Sequence, residues 1–438
     1  MSTEVFIYLI SAIVLISSLC LMVKTLGYNF ILTLPGFFYV YFVIFIFLGS
    51  PFYFIYQGMN NTYYITATHL VLLIFPIGII ISNRIMNVDF KTQLNKYFNM
   101  PIIDNQPGKE FLIIFIIILS VTLAVTMLYF SKLDEIPINY FIRSLANEIN
   151  ISELAKLREA STTTFNIGKL HRYKYFMAQL LPFLVVISFL KSRISQRKLW
   201  YSILVLLTLF TMYRFVSDLQ KKPILDFIIL LFITSWILRG KINWKQIGIL
   251  FSLLLSMLGL MYYYIMGMGD RPFYVLIDAV FSRLILGQTM PLYHYFTLFP
   301  NVHDFLYGTS LPNPAGLFPF ENFPITKWVF VNGLNRSWEI VGTAPSAFVG
   351  EIYANFGYPI MLLSILVLAI FLQMIQIQFI SKPRTLLLTA FYSYFVYLSS
   401  QFALTGAFVV VHVYLIIFLL VAILFCDGYK ILHKVLHQ

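Results

Sequence analysis

The chain has 438 residues, 60% of them hydrophobic and 11% charged, with a mean hydropathy of +0.83. Soluble domains carry about 25% charged residues, so a water-soluble enzyme of this size is excluded, and an aromatic content of 18% excludes disorder. The net charge of +12 comes from scattered Lys and Arg without basic runs, and reads as the topology of a polytopic membrane protein rather than as nucleic-acid binding.

A helix needs roughly 20 apolar residues to cross the hydrocarbon core. In chain order the apolar runs predict eleven spans, at 5–23, 30–49, 63–82, 111–130, 175–190, 199–216, 223–239, 246–265, 359–380, 385–398 and 407–425. Two of them are short: 175–190, which follows the polar pair Tyr173-Lys174, and 385–398, which is rich in Tyr and Ser. Glu4 stands where a signal peptide would carry basic residues, so the first span is expected to stay in the chain. Cys20 and Cys426 have no neighbours at metal or redox spacing. The abundance of Ile, Phe, Tyr, Asn and Lys suggests an AT-rich, bacterial genome.

Basic residues in short loops set the orientation. Counted from an outside N-terminus, the inside loops hold Lys24; Arg84, Lys91, Lys96 and Lys109; Lys191, Arg193, Arg197 and Lys198; Arg239, Lys241 and Lys245; Lys382 and Arg384; and Lys430 and Lys434. The short outside loops 50–62, 217–222 and 399–406 hold only Lys221 and Lys222. Two long connections then fall outside. In 131–174, Asn150 and Glu153 have capping-box spacing, and Ile151, Leu154 and Leu157 form an apolar stripe, predicting a surface helix at 151–160. The loop 266–358 is too long to be structureless and is the expected seat of the chemistry. Its apolar stretch 273–290 predicts an amphipathic or re-entrant helix at the outer interface. The expected fold is therefore all-α: a single polytopic domain over 1–438, with about eleven transmembrane helices and one large folded extracytoplasmic loop.

Charges at the membrane edge are the candidate functional groups. Arg214 and Asp218, and Lys222 and Asp226, are each four apart on one helix face. They read either as neutralising ion pairs that let the helices insert, or as a basic floor under an anionic head group. The large loop holds the basic residues Arg271, Arg283, Lys327 and Arg336, the acids Asp270, Asp278, Asp304, Glu321, Glu339 and Glu351, and the histidines His294 and His303. A snorkelling arginine, solvated carboxylates and a hydrogen-bonded structural histidine are the plain alternatives. The chain lacks GxxxxGK[ST], HExxH, DxD, CxxC and GxSxG patterns, so neither a P-loop ATPase nor a zinc hydrolase of the HExxH kind is indicated.

Residues 341–358 read Gly-Thr-Ala-Pro-Ser-Ala-Phe-Val-Gly-Glu-Ile-Tyr-Ala-Asn-Phe-Gly-Tyr-Pro. This stretch resembles the motif that closes the large outer loop in oligosaccharide repeat-unit polymerases, the Wzy-type O-antigen polymerase family, at Ala344, Pro345, Gly350, Glu351, Asn355 and Gly357. Lys221-Lys222-Pro223 resembles that family's basic residue opening a span, and Arg283 its arginine near the start of the large loop. The resemblance covers roughly residues 200–380. Related O-antigen ligases carry a histidine in the closing motif, and Ala344 to Ser346 hold none.

The resemblance implies a GT-C-like glycosyltransferase in the bacterial cytoplasmic (inner) membrane, with its active site facing the periplasm. It would transfer a growing glycan from undecaprenyl diphosphate to the terminal hydroxyl of a new lipid-linked repeat unit, without a metal or other cofactor. Arg283, Arg336 and Lys222 would hold the diphosphate, with Arg271 and Arg214 as second choices, and Glu339, Glu351 or His294 would take the hydroxyl proton. The implied partners are undecaprenyl-diphosphate-linked oligosaccharides and the bilayer, with a chain-length regulator protein as a further candidate and no nucleic acid. A lipid-linked oligosaccharide flippase and an O-antigen ligase are the alternative functions.

Overall fold

The computed structural model describes residues 2–104, 109–144, 151–163, 176–265, 268–311, 313, 318–338 and 342–406. The expected span 407–425, the capping residue Asn150 and the candidate Glu339 lie outside them. The helices are α1 (Thr3–Leu26), α2 (Leu34–Phe42, continued by a π turn, Val43–Phe47), α3 (Ser50–Tyr56), α4 (Thr62–Ile85), α5 (Phe90–Asn99), α6 (Lys109–Phe130), α7 (Pro137–Ser144), α8 (Ile151–Thr163), α9 (Leu181–Ser195), α10 (Lys198–Ser217), α11 (Lys221–Arg239), α12 (Trp244–Leu260, continued by a π turn, Met261–Ile265), α13 (Phe273–Leu286), α14 (Thr289–Leu298), α15 (Ile325–Asn332), α16 (Phe348–Ile380) and α17 (Leu386–Ser399). Among the described residues no strand pairing occurs beyond one isolated bridge, Ile103 to Thr385.

Eight helices among the described residues are long and apolar enough to cross a membrane, and α13 with α14 adds a ninth apolar segment bent by 53°. Two expected spans, 223–239 and 385–398, are helical as α11 and α17 but fall short of that standard. In α11 the reason is charge, with Lys222, Asp226 and Arg239 inside one helix, and in α17 it is a length of 14 residues. The stretch 273–290, expected as an amphipathic or re-entrant helix, forms α13 and the start of α14, which meet at a bend of 53°.

The bundle packs as a lipid-dissolved protein should. On α1 the buried stripe is Ser11, Val14, Ser18, Met22 and Leu26, while Ile13 and Ile16 stay more than 60% exposed. Small and hydroxylated residues face the neighbours because lipid offers apolar side chains no incentive to hide. Ser11 Oγ lies 2.9 Å from His69 Nε2 of α4, and Ser18 Oγ lies 2.6 Å from the Tyr39 hydroxyl of α2. The long pairing of α4 with α16 passes through Gly78, where a Cβ would meet that of Ala369 at 2.6 Å.

The loops gather in two separate sets. Arg384, buried before α17, donates to the carbonyls of Phe98 at 3.0 Å, Met100 at 2.9 Å and Leu238 at 3.1 Å, and also to Ile237. Lys191 forms an ion pair with Asp104 at 2.8 Å. Every residue in that set comes from a loop or helix end expected inside. The second set joins the described parts of 131–163, 217–222, 266–358 and 400–406, segments expected outside, and it holds the candidate site.

Candidate functional site

At this second end Lys221 lies within electrostatic reach of two further cations, Arg158 and Arg283, from two other segments. Arg158 comes from α8, Lys221 from the head of α11, ahead of the apolar run, and Arg283 from the last turn of α13. An apolar patch joins α7 and α8 to the turn before α11 and to the end of α12, with Leu154, Leu219 and Met261 buried and Ile138, Tyr140, Phe141 and Met257 packed around them. Leu219 takes a left-handed conformation (φ 51°) in the turn between α10 and α11. That conformation is costly for a side-chain-bearing residue, and the burial of Leu219 between Leu154 and Met261 offsets it. The Lys221 ammonium stands 3.6 Å from the centre of the Tyr262 ring, an attractive contact for a cation. Burial, with Arg283 and Arg158 adding repulsion, lowers the Lys221 amine to about 8. Like charges held together at such a cost are what an anion would relieve.

Arg214 is engaged elsewhere. Its guanidinium pairs with Asp218 at 2.8 Å and lies over the Tyr129 ring at 4.2 Å, and the Tyr129 hydroxyl donates to Asp218 at 2.8 Å. This geometry is the neutralising pair, not a floor open to ligand. Lys222 is exposed and turned to another face of α11, where its charge acts on Asp226. The residue beside Arg283 is thus Lys221 rather than its neighbour.

The closing motif is a lock. Asn355 Oδ1 accepts from the Gly308 amide at 3.1 Å, and its Nδ2 donates to Ser310 Oγ at 2.7 Å and to the Glu351 carbonyl at 2.7 Å. The Leu306 and Tyr307 amides donate to the carbonyls of Ala354 and Asn355 at 3.0 and 2.9 Å. Gly350 lets α16 approach α14, since a Cβ there would meet Leu292 at 2.8 Å. Phe296 stacks on Tyr353 with ring centres 4.3 Å apart. Gly357 adopts φ 77° and ψ −176°, which breaks α16 into a short outer piece and the following span. The Ala344 amide donates to Thr326 at 2.9 Å and its carbonyl accepts from Tyr295 at 3.2 Å, which ties the motif's start to α15 and α14. The motif's one carboxylate, Glu351, is buried, and a Cβ at Gly406 would collide with it.

The remaining candidates are dispersed around the loop. Arg271 is exposed in the turn before α13, its amide bonded to the Met268 carbonyl at 3.1 Å. Arg336 is exposed in the turn after α15. His294 is half-buried on α14, edge-on to Tyr293 at 5.8 Å, and a Cβ at Gly333 would meet its Cβ at 2.8 Å. His303 is walled in by Phe299, Phe323 and Trp328, with ring centres 4.8–5.7 Å away. Among the described residues, no three His, Cys, Asp or Glu side chains gather as metal ligands. Within the cation cluster, Arg158 was not singled out by the sequence, and in the run Lys221-Lys222-Pro223 it was Lys222 that was singled out as a ligand. Arg158 looks like any polar-face charge of a surface helix.

No family model, no curated protein and no solved structure matches the chain.

Proposed function

We propose that the protein is a glycosyltransferase that polymerises undecaprenyl-diphosphate-linked oligosaccharide repeat units at the periplasmic edge of a bacterial inner membrane. The observation that carries this reading is the convergence of Arg158, Lys221 and Arg283 from three segments at one end of a membrane bundle. A lipid diphosphate is an anion found at that depth. As the leaving group of glycosyl transfer it gains charge in the transition state, where fixed cations stabilise it most. Arg283 supplies a planar fork suited to two phosphate oxygens, and Lys221 a compact charge. Arg271, Arg336 and Lys222, all exposed at the same end, are available to the glycan or to the second lipid-linked unit. The acceptor hydroxyl attacks the anomeric carbon, the bond from that carbon to the phosphate oxygen breaks, and the lipid diphosphate leaves with the electron pair.

The test is the length of surface glycan in a strain lacking the gene. Loss of long chains with single repeat units retained supports polymerisation. Loss of all surface glycan points to a flippase, and unattached polymer to a ligase. Complementation with Arg283→Ala or Lys221→Ala should give single repeats, while a normal ladder from both would remove the cation cluster from the site.

A further inference from the structure

The first outer loop opens a cavity that the cation cluster does not use. It starts at Phe130, the last residue of α6, and runs through the turn 131–136 onto α7. Its volume is about 610 Å³, within the range of about 300–1,000 Å³ usual for sites that take small molecules. α6 is a span that ends at Phe130, so the cavity lies past the hydrocarbon, among the second set of loops.

Its walls divide by chemistry. Asp134, Glu135, Asn139 and Arg143 give a polar side, and Phe130 and Ile142 an apolar one. Arg143 pairs with Glu135, yet its side chain stays 72% exposed, so the guanidinium keeps donors to spare. Asp134 and Asn139 are exposed, and among the described residues neither side chain has a hydrogen bond or an ion pair. Ile142 is an exposed apolar side chain beyond the end of the span.

The cavity is braced from beneath and from one side. Phe130 packs on Tyr129 and on Tyr213 of α10, with ring centres 5.5 and 5.8 Å away. The Tyr129 hydroxyl lies 2.8 Å from Asp218 Oδ1 and 3.0 Å from the Ser161 carbonyl oxygen, which joins α6 to α8 and to the turn before α11. On α7, Ile138 and Phe141 pack on Leu154, Leu219 and Met261, and the Tyr140 hydroxyl donates to Glu153 of α8 at 2.9 Å. Asn139, Ile142 and Arg143, three and four positions apart, share another face of this helix and line the cavity. One short helix therefore stands between the cavity and the patch that precedes Lys221, and a helix with its side chains is about 10–12 Å across.

Walls of this kind fit a sugar ring, which presents neighbouring hydroxyls to carboxylate and amide groups and C–H faces to apolar side chains. Two carboxylates against one guanidinium repel an acidic sugar or a phosphate and admit a neutral ring. The position past the end of α6 disfavours a lipid tail. We propose that this cavity is a glycan subsite, where Asp134 and Asn139 hydrogen-bond the hydroxyls of a neutral sugar of the lipid-linked repeat unit and Phe130 and Ile142 cover its C–H face. Resting on the polymerase reading, this names one piece of its substrate. The subsite binds and orients, and bond making stays with the cation cluster.

The experiment uses the full chain in nanodiscs and two probes, each followed by calorimetry: undecaprenyl diphosphate, and the single-repeat oligosaccharide released by hydrolysis from the parent strain's surface glycan. Asp134→Ala and Asn139→Ala should each weaken oligosaccharide binding about 10-fold, and Ile142→Trp, which fills the cavity, should abolish it. All three should bind undecaprenyl diphosphate as the wild type does. Wild-type oligosaccharide affinity in Asn139→Ala and Ile142→Trp, or no oligosaccharide binding by the wild type, overturns the subsite and leaves the polymerase reading standing. Loss of both probes in all three variants also overturns it, since α7 would then be a structural brace. An unchanged surface glycan in the gene-deleted strain overturns the polymerase reading and, with it, the substrate assigned to the cavity.

Discussion

Lys221 shows how far one side chain's chemistry depends on neighbours remote in sequence. Its amine, lowered to about 8 by burial and by Arg283 and Arg158, is charged at neutral pH and loses its proton as pH rises past that value. Lysine in the unfolded chain keeps its proton to higher pH. The folding cost of the charged form is therefore present below about 8 and is relieved as pH rises from there toward the ordinary lysine range. On the proposed function, affinity for undecaprenyl diphosphate should run the other way, full below about 8 and falling above it. Titrating undecaprenyl diphosphate binding in nanodiscs from neutral to alkaline pH should show this decline in the wild type and not in Lys221→Ala. A wild-type profile flat across the range would take Lys221 out of the anion's reach. At this scale the site was half legible. Arg283 could be singled out because a charge in an apolar run demands a reason. Which of Lys221 and Lys222 faces it is set by a 100° step around a helix, and the choice is made by the packing of Leu219 and Met261, which no local pattern announces.

At the scale of elements, the spans could be read because length and hydropathy in lipid leave few alternatives. Where the reading fell short, charge or a break was the cause. α11 carries Lys222 and Asp226 in its first two turns, so its hydropathy understates its place in the bundle. The end of the large loop runs straight into a span because Gly357 re-aims the chain at a kink between the two helical pieces of α16. The conformation at Gly357, φ 77° and ψ −176°, is essentially reserved for glycine and costs another residue about 1–3 kcal/mol. Asn355 satisfies the Gly308 amide and Ser310 Oγ in a buried turn, and leaving buried polar groups unpaired costs about 1–3 kcal/mol. Gly357→Ala and Asn355→Ala should each lower the thermal midpoint of the purified protein and speed proteolysis of the loop 305–324. Arg283→Ala should do neither. Wild-type midpoints in both motif variants would mean that the closing motif is not a lock, and would return its polar residues to the list of groups that touch substrate.

Over the whole molecule, two independent lines agree on which loops belong together. The loops rich in Lys and Arg, assigned inside by charge alone, meet in space around Arg384 and the Lys191–Asp104 pair. The loops poor in short-range basic charge meet around Leu219, Asn355 and the cation cluster. An error of one span in the chain order would have mixed the two sets, so the alternation up to residue 406 is internally consistent even though α17 is short. The arrangement assigns sides that can be read directly. In a background of Cys20→Ser and Cys426→Ser, Asn301→Cys and Lys382→Cys each place one thiol at an exposed position, the first in the large loop and the second beside Arg384. A membrane-impermeant maleimide applied to intact cells should label the variant at 301 at once and the variant at 382 only after lysis. The reverse pattern would put Arg158, Lys221 and Arg283 on the cytoplasmic face, because these cations and residue 301 belong to the same set of loops, and the proposed reaction would then be on the wrong side of the membrane.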